Sequence, residues 1–209
     1  MQINNDSIQN YTYNRTIFAA LPKKYRKVDE YLIRGPHPYI KDIIQLKREG
    51  VNRIYDFRHY NLRGFKFIER LACKIAGIEY IRKPYDFLKP QYPTQAEYET
   101  IAKEVKENGE NGGKTLFHCR SGSHRTSLMA AFYDITKGHT LKESKESPSY
   151  EENLKNTLGK HIINSNYFSR KHIVSDTRNP IKKHRISYNN IVEAATRKAY
   201  ELFLDMMNK

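Results

Sequence analysis

Cys119 and Arg125 stand six positions apart in Lys114-Thr-Leu-Phe-His-Cys-Arg-Ser-Gly-Ser-His-Arg-Thr126. A thiol attacks an electrophile only as thiolate, and a free cysteine is mostly protonated at neutral pH. Three influences in this stretch favour the thiolate. Arg125 brings a permanent positive charge. A helix starting there points its positive end at the loop. The successive N–H groups of Arg120, Ser121, Gly122, Ser123, His124 and Arg125 can converge on an anion. The same features suit a phosphate dianion, with Arg125 forked across two of its oxygens. One geometry therefore activates a nucleophile and positions its electrophile. Gly122 and the small Ser121 and Ser123 permit the tight curvature. Thr126 offers the sulfur a hydroxyl hydrogen bond, which matters when the thiolate becomes a leaving group. His118 reads as a structural hydrogen-bonding group, because a preformed thiolate needs no base.

Such a loop needs a strand before it and a helix after it. Lys114 to His118 reads as the strand, and Arg125 to Lys137 as the helix, ended by Gly138. Upstream the same alternation repeats. Glu30 to Arg34 predicts a strand stopped by Gly35-Pro36, Lys41 to Glu49 a helix ended by Gly50, and Val51 to Phe57 a strand of period two. Phe65 to Ala76 is amphipathic, with Phe67, Ile68, Leu71, Ala72 and Ile75 on one face, and Ile78 to Arg82 is a further strand. Three prolines make residues 83–93 a loop. Thr94 to Asn108 is a helix opened by a capping box of Thr94 and Glu97, with Ile101, Ala102 and Val105 inward. Strands alternating with helices indicate an α/β fold, with a central, mostly parallel sheet of four to five strands flanked by helices.

The organisation expected is an N-terminal arm over 1–28, a catalytic domain over 29–147 and a basic, partly helical extension over 148–209. Residues 155–185 hold eight Lys or Arg against one acid, Asp176. From Ser187 to Met207 a last helix is expected, with Ile191, Ala195, Ala199, Leu202 and Met206 at helical spacing.

The chain has 209 residues, enough to bury a core without disulfides or metals. Two cysteines make no disulfide framework and suggest a reducing compartment. No apolar run reaches the ~20 residues of a membrane span. The first residues carry neither a basic start nor an apolar core, so no secretory signal is read and a cytoplasmic location is expected. The net charge of +14 fits either simple solubility or an anionic partner, a nucleic acid or acidic membrane, met through the basic extension. Tyr167, Phe168 and Tyr188 are too sparse for a base-stacking platform. The eight histidines are scattered, and neither metal nor cofactor is expected.

The loop resembles the signature of the cysteine-dependent protein tyrosine and dual-specificity phosphatase superfamily, His-Cys-x5-Arg-Ser/Thr, here His118-Cys119 to Arg125-Thr126. More loosely, Tyr31-Leu-Ile-Arg-Gly-Pro36, Gly50 to Arg58 and Gly77 to Ile81 resemble successive strand entries of small bacterial-type members; the tail after about 147 lies outside the resemblance. The resemblance implies two-step hydrolysis of a phosphomonoester, in a phosphotyrosine or other phosphoprotein, through a cysteinyl-phosphate. It implies an upstream Asp that protonates the leaving group and then activates water. Asp86, 33 residues before Cys119, matches that place, with Asp56 and His124 as rivals. Relatives that prefer phosphoinositides often carry Lys in the loop and Asp before the Arg. Ser123 and His124 stand there in this chain, which argues against that preference. The same chemistry on an RNA 5′-triphosphate end or on a phosphoinositide is one alternative, and a phosphate-binding module without turnover is another. Arg34 and Arg58 read as strand-end surface charges or, less simply, as substrate contacts. Cys73 reads as a core residue, or as a partner for a reversible disulfide with Cys119.

Overall fold

The computed structural model describes residues 21–59, 63–86, 92–165, 198–199 and 201–209. A five-stranded sheet runs through them: β1 (Arg26–Lys27), β2 (Leu32–Pro36), β3 (Val51–Asp56), β4 (Glu79–Arg82) and β5 (Lys114–Cys119), in the order β1-β2-β5-β3-β4. Only β1 is antiparallel, paired to β2 within the stretch expected to be an arm. β5 lies in the middle, parallel to both β2 and β3. Its run Thr115 to Cys119 is buried throughout, as a strand covered on both faces must be.

The first long strand begins later than its sequence suggests. The Asp29 carboxylate accepts hydrogen bonds from the N–H groups of Tyr31 and Leu32, both at 2.9 Å, and turns residues 30–31 out of the sheet. The strand then runs through Gly35 to Pro36, which pairs with Cys119. A proline is tolerated there because the ladder ends with it.

Helices α1 (Ile40–Arg48) and α2 (Arg63–Ile75) cover one face of the sheet. In α1 the Tyr39 N–H donates to Asp42 at 2.7 Å, and Lys47 and Arg48 sit at the opposite, negative end. The other face carries α3 (Gln95–Glu110), α4 (Arg125–Thr136), α5 (Leu141–Lys145) and α6 (Tyr150–Ser165). The expected Thr94–Glu97 box opens α3: the Thr94 N–H donates to Glu97 at 2.8 Å, and the Glu97 N–H to Thr94 at 3.3 Å.

Two apolar clusters hold these layers. Leu116 joins Ile33, Ile43, Leu46, Ile54 and Cys73 beneath α1 and α2. Phe117, its neighbour, points the other way and joins Tyr98, Leu128 and Phe132. Tyr150, Leu154, Ala199, Phe203 and Met207 belong to that second cluster, so residues on both sides of position 148 share it. In the helical residues 198–199 and 201–208 the buried row is Ala199, Phe203 and Met207, while Leu202 is exposed. The expected row through Leu202 is displaced because the Tyr150 hydroxyl binds the Met207 carbonyl at 2.8 Å and fixes the rotation of the helix. Ile191, Ala195 and most of the basic stretch lie outside the described residues.

The face of α2 is also reversed from what its pattern suggests. Phe67, Ile68, Leu71 and Ile75 are exposed, while Glu69 and Cys73 are buried and Ala72 and Ala76 are half-buried against the sheet-side cluster. No helix among the described residues is long and apolar enough to cross a membrane.

Candidate active site

The parallel pairing puts Pro36, Asp56 and Cys119 at one edge of the sheet, since Pro36 lies opposite Cys119 and Asp56 opposite His118. The loop from Cys119 to α4 curls over that edge. Gly122 has φ of 74°. A Cβ there would stand 2.4 Å from the Gly35 carbonyl carbon and 2.7 Å from Pro36 N, so only glycine fits where the loop crosses β2. Gly35 is itself pressed on the Tyr25 ring, at 2.2 Å from its would-be Cβ.

Arg34 pins the loop from behind. Its Nη2 donates to the Gly122 carbonyl at 3.2 Å and to Ser127 Oγ at 2.9 Å, and Ser127 donates on to the Ser123 carbonyl at 2.7 Å. The His37 N–H reaches the Arg120 carbonyl at 3.4 Å, and the Ser123 hydroxyl reaches the Ser121 carbonyl at 3.4 Å. Arg34 is thus no surface charge but a buried clamp under the curve.

The Cys119 sulfur is buried and accepts the Gly122 N–H at 3.3 Å. Burial alone would push its thiol up. The Thr126 hydroxyl and N–H, the Arg125 guanidinium and the Gly122 N–H together outweigh burial and hold it below its ordinary value. Of the expected contributors, Arg125, Thr126 and the Gly122 N–H bear on the sulfur.

Behind the loop lies an ionic network. His118 is fully buried, with Nδ1 3.3 Å from the Cys119 carbonyl and Nε2 3.0 Å from Glu69 Oε1. Asp56 takes Arg58 on both oxygens at 2.8 Å and the Tyr80 hydroxyl at 2.6 Å, and Arg58 also binds Glu69. Burial opposes the charge on His118, but the Glu69 carboxylate 3.0 Å away and the charge of Asp56 raise its pKa above the ordinary value. Burial opposes the Asp56 charge likewise, yet Arg58, His118 and Tyr80 bring its carboxyl down to about 2. Asp56, Glu69 and His118 come close enough to suggest a metal site. The Arg58 guanidinium pairs with both carboxylates, and a protonated His118 between them balances the second negative charge, so the cluster holds together as an ion-pair network. Arg58 too is drawn inward rather than left as surface charge.

Asp86 is buried, with its carboxylate 3.3 Å from His59 Nε2. Tyr85 stacks on Phe57 at 5.8 Å, and Phe57 packs on Phe117 at 5.2 Å. The Phe57 N–H also donates to the His118 carbonyl at 2.9 Å. These contacts bring residues 85–86 to the edge of the sheet that carries the loop.

Among solved structures the chain superposes on PTPMT1 with a TM-score of 0.50 at 18% identity, over 88% of this chain and 99% of that one. It matches P. aeruginosa TpbA at 0.44 and 19% identity, over 67% and 83%. A DUF442 phosphatase from Shewanella putrefaciens CN-32 matches at 0.46 and 18%, over 66% and 93%. No protein-family model and no curated protein matches the sequence. The fold is tyrosine-phosphatase-like.

Within that fold the remaining candidates separate. His124 caps α4 and is half-exposed; burial and the Arg125 charge lower its pKa to about 4, so it is neutral near pH 7 and a poor proton source there. Asp56, committed to Arg58, is held ionised and is equally poor as an acid. Cys73 and Cys119 are free thiols in the two different clusters, on opposite faces of the sheet, which separates them as disulfide partners. Burial pushes the Cys73 thiol up to about 12, leaving it inert.

Sequence reasoning missed Glu69, Ser127 and His59. Glu69 left a trace, being the only acid in α2 among several basic residues. Ser127 and His59 left none, because their partners are fixed only by the tertiary fold.

Proposed function

We propose that the protein is a cysteine-dependent phosphatase acting on phosphomonoesters, with phosphotyrosine or dual-specificity phosphoprotein substrates. The observation that carries this is the buried Cys119 sulfur, which accepts the Gly122 N–H at 3.3 Å and has its thiol pKa lowered, at the focus of a loop pinned by Arg34 and Gly122. The phosphate sits among the N–H groups of residues 120–125, forked by Arg125. The Cys119 thiolate attacks phosphorus while the ester oxygen leaves with a proton from Asp86. The Asp86 carboxylate then takes a proton from water, whose oxygen attacks the cysteinyl-phosphate. Inorganic phosphate departs and the thiolate returns, eased by the Thr126 hydroxyl. His59 stands beside Asp86 to orient it.

A chromogenic aryl phosphate supplied in chelator tests this. Turnover is expected in the wild type and none in Cys119→Ser; turnover surviving in that variant overturns the nucleophile. Asp86→Asn should slow turnover by about 10²–10⁴-fold and let a phosphoenzyme accumulate. A second substrate class, triphosphate-ended RNA, is favoured by the +14 charge. Release of γ-phosphate from such RNA in preference to phosphotyrosine peptide would select it.

A further inference from the structure

The outward surface of α1 and α2 is apolar along its middle and basic along both sides. On α1, Ile40, Ile44 and Lys47 form one row (i, i+4, i+7), and Lys47 Nζ reaches the Gly77 carbonyl beyond α2 at 2.9 Å, so that row borders α2. On α2, Ala72 and Ala76 pack into the cluster that also holds Ile43 and Leu46 of α1. The adjoining outward row carries Ile68, Leu71 and Ile75, with Phe67 beside Leu71. Exposures of 68% for Phe67, 79% for Ile75 and 54% for Ile40 show that this seam is open. From Phe67 to Ile75 it runs about 12 Å along the helix. Exposed Lys41 and Arg48 flank it on the α1 side, Arg70 and Lys74 on the α2 side. No acid is exposed on either helix among the described residues: Asp42 and Glu69 both turn inward.

We propose that this face docks on an anionic lipid bilayer. Aliphatic side chains and one Phe enter the headgroup–acyl boundary, Tyr39 lies at its margin, and the flanking cations meet lipid phosphates. Charge selects this occupant. The face is unipolar, so a second copy of it would bring like charges together. Its contact residues are plain hydrocarbons with no hydrogen-bonding group to specify a peptide, which a fluid acyl layer does not require. α2 is suited to the task because its attachment to the body uses only small or paired residues, Ala72, Cys73, Ala76 and Glu69. The large apolar side chains are left for the outside.

Flotation of the full chain with vesicles tests the proposal. Wild type should float with phosphatidylcholine vesicles doped with phosphatidylserine and not with phosphatidylcholine alone. Ile68→Ser/Leu71→Ser/Ile75→Ser should lower the bound fraction about tenfold or more, scaling with the apolar area removed. Arg70→Glu/Lys74→Glu, which touches no buried group, serves as the second variant should the first fail a thermal melt, and should abolish flotation at low salt. Lys182→Gln/Lys183→Gln/Arg185→Gln should float as wild type. Equal flotation of the seam variants and wild type would assign the attraction to the basic extension and overturn the proposal. So would failure of wild type to float, or a wild-type dimer in light scattering that the seam variants split.

Discussion

Along α4 every residue from Thr126 to Thr136 is buried, whereas α2 turns Phe67, Ile68, Leu71 and Ile75 to solvent and keeps Glu69 and Cys73 inside. The two helices serve the same loop from opposite faces of the sheet. α4 aims its N-terminus at the Cys119 loop and is surrounded by α3, α6 and the last helix, so almost its whole circumference is packed. α2 has the sheet on one side and nothing described on the other. Its inner arc is chosen by close packing of Ala72 and Ala76 and by the pairing of Glu69 with His118 and Arg58. Amphipathicity marks a stripe; it does not say which arc of a two-sided helix turns in.

The largest effect expected from this contrast falls on the α4 side. Phe132 is fully buried and stacks on Tyr98 at 5.0 Å. Phe132→Ala should destabilise the protein by about 3–5 kcal/mol, read by chemical denaturation, because ring and cavity terms are both lost. A cost below about 1 kcal/mol would mean that this layer is as loosely held as the outer surface of α2.

Next comes the inner arc of α2. Glu69→Gln keeps the shape but turns an amide donor toward His118 or Arg58, at a cost of about 1–3 kcal/mol. The pH dependence gives this its signature. His118 has a folded pKa raised above 6.5, so its contribution is fully present below 6.5 and lost as pH rises through the folded value. The gap between wild type and Glu69→Gln should therefore be widest below pH 6.5 and narrow above the folded pKa. A gap constant with pH would place Glu69 outside the His118 equilibrium. His124 works in the opposite sense. Its pKa falls from 6.5 to about 4 on folding, so the unfolded chain binds the extra proton, and stability should drop as pH falls from 6.5 to 4. Replacing His124 with Gln should flatten that part of the acid limb.

The legible parts of the molecule were those whose cause is local. The strand–loop–helix around Cys119, the Thr94–Glu97 box and the glycine stops lie within a few residues of what they act on. The sheet followed from alternation, although β1 did not, having only two residues. The rest depends on distant partners. Arg34 acts on Gly122 and Ser127, 88 and 93 residues away, and as a strand-end arginine it looks like surface charge. Arg58 and Glu69 become structural only when β3 and α2 meet behind His118. Asp86 could be matched to a place in a pattern, but the buried His59 contact that fixes its carboxylate could not.

The smallest effect is expected at Ile75, and it is the most discriminating for the contrast between helices. A buried isoleucine turned to serine at a comparable position on the sheet side, such as Ile43, forfeits packing and leaves a hydroxyl unsatisfied, by several kcal/mol in cores of this kind. Ile75 is already 79% exposed, so Ile75→Ser removes little that folding gained and should shift stability by no more than about 0.5 kcal/mol. β-Branched residues are modest helix formers and serine is similar, so propensity adds nothing large. A loss well beyond that would mean that Ile75 is covered in solution by another part of the chain or by a second molecule. The outer arc of α2 would then be core like that of α4, and the difference between the two helices would dissolve.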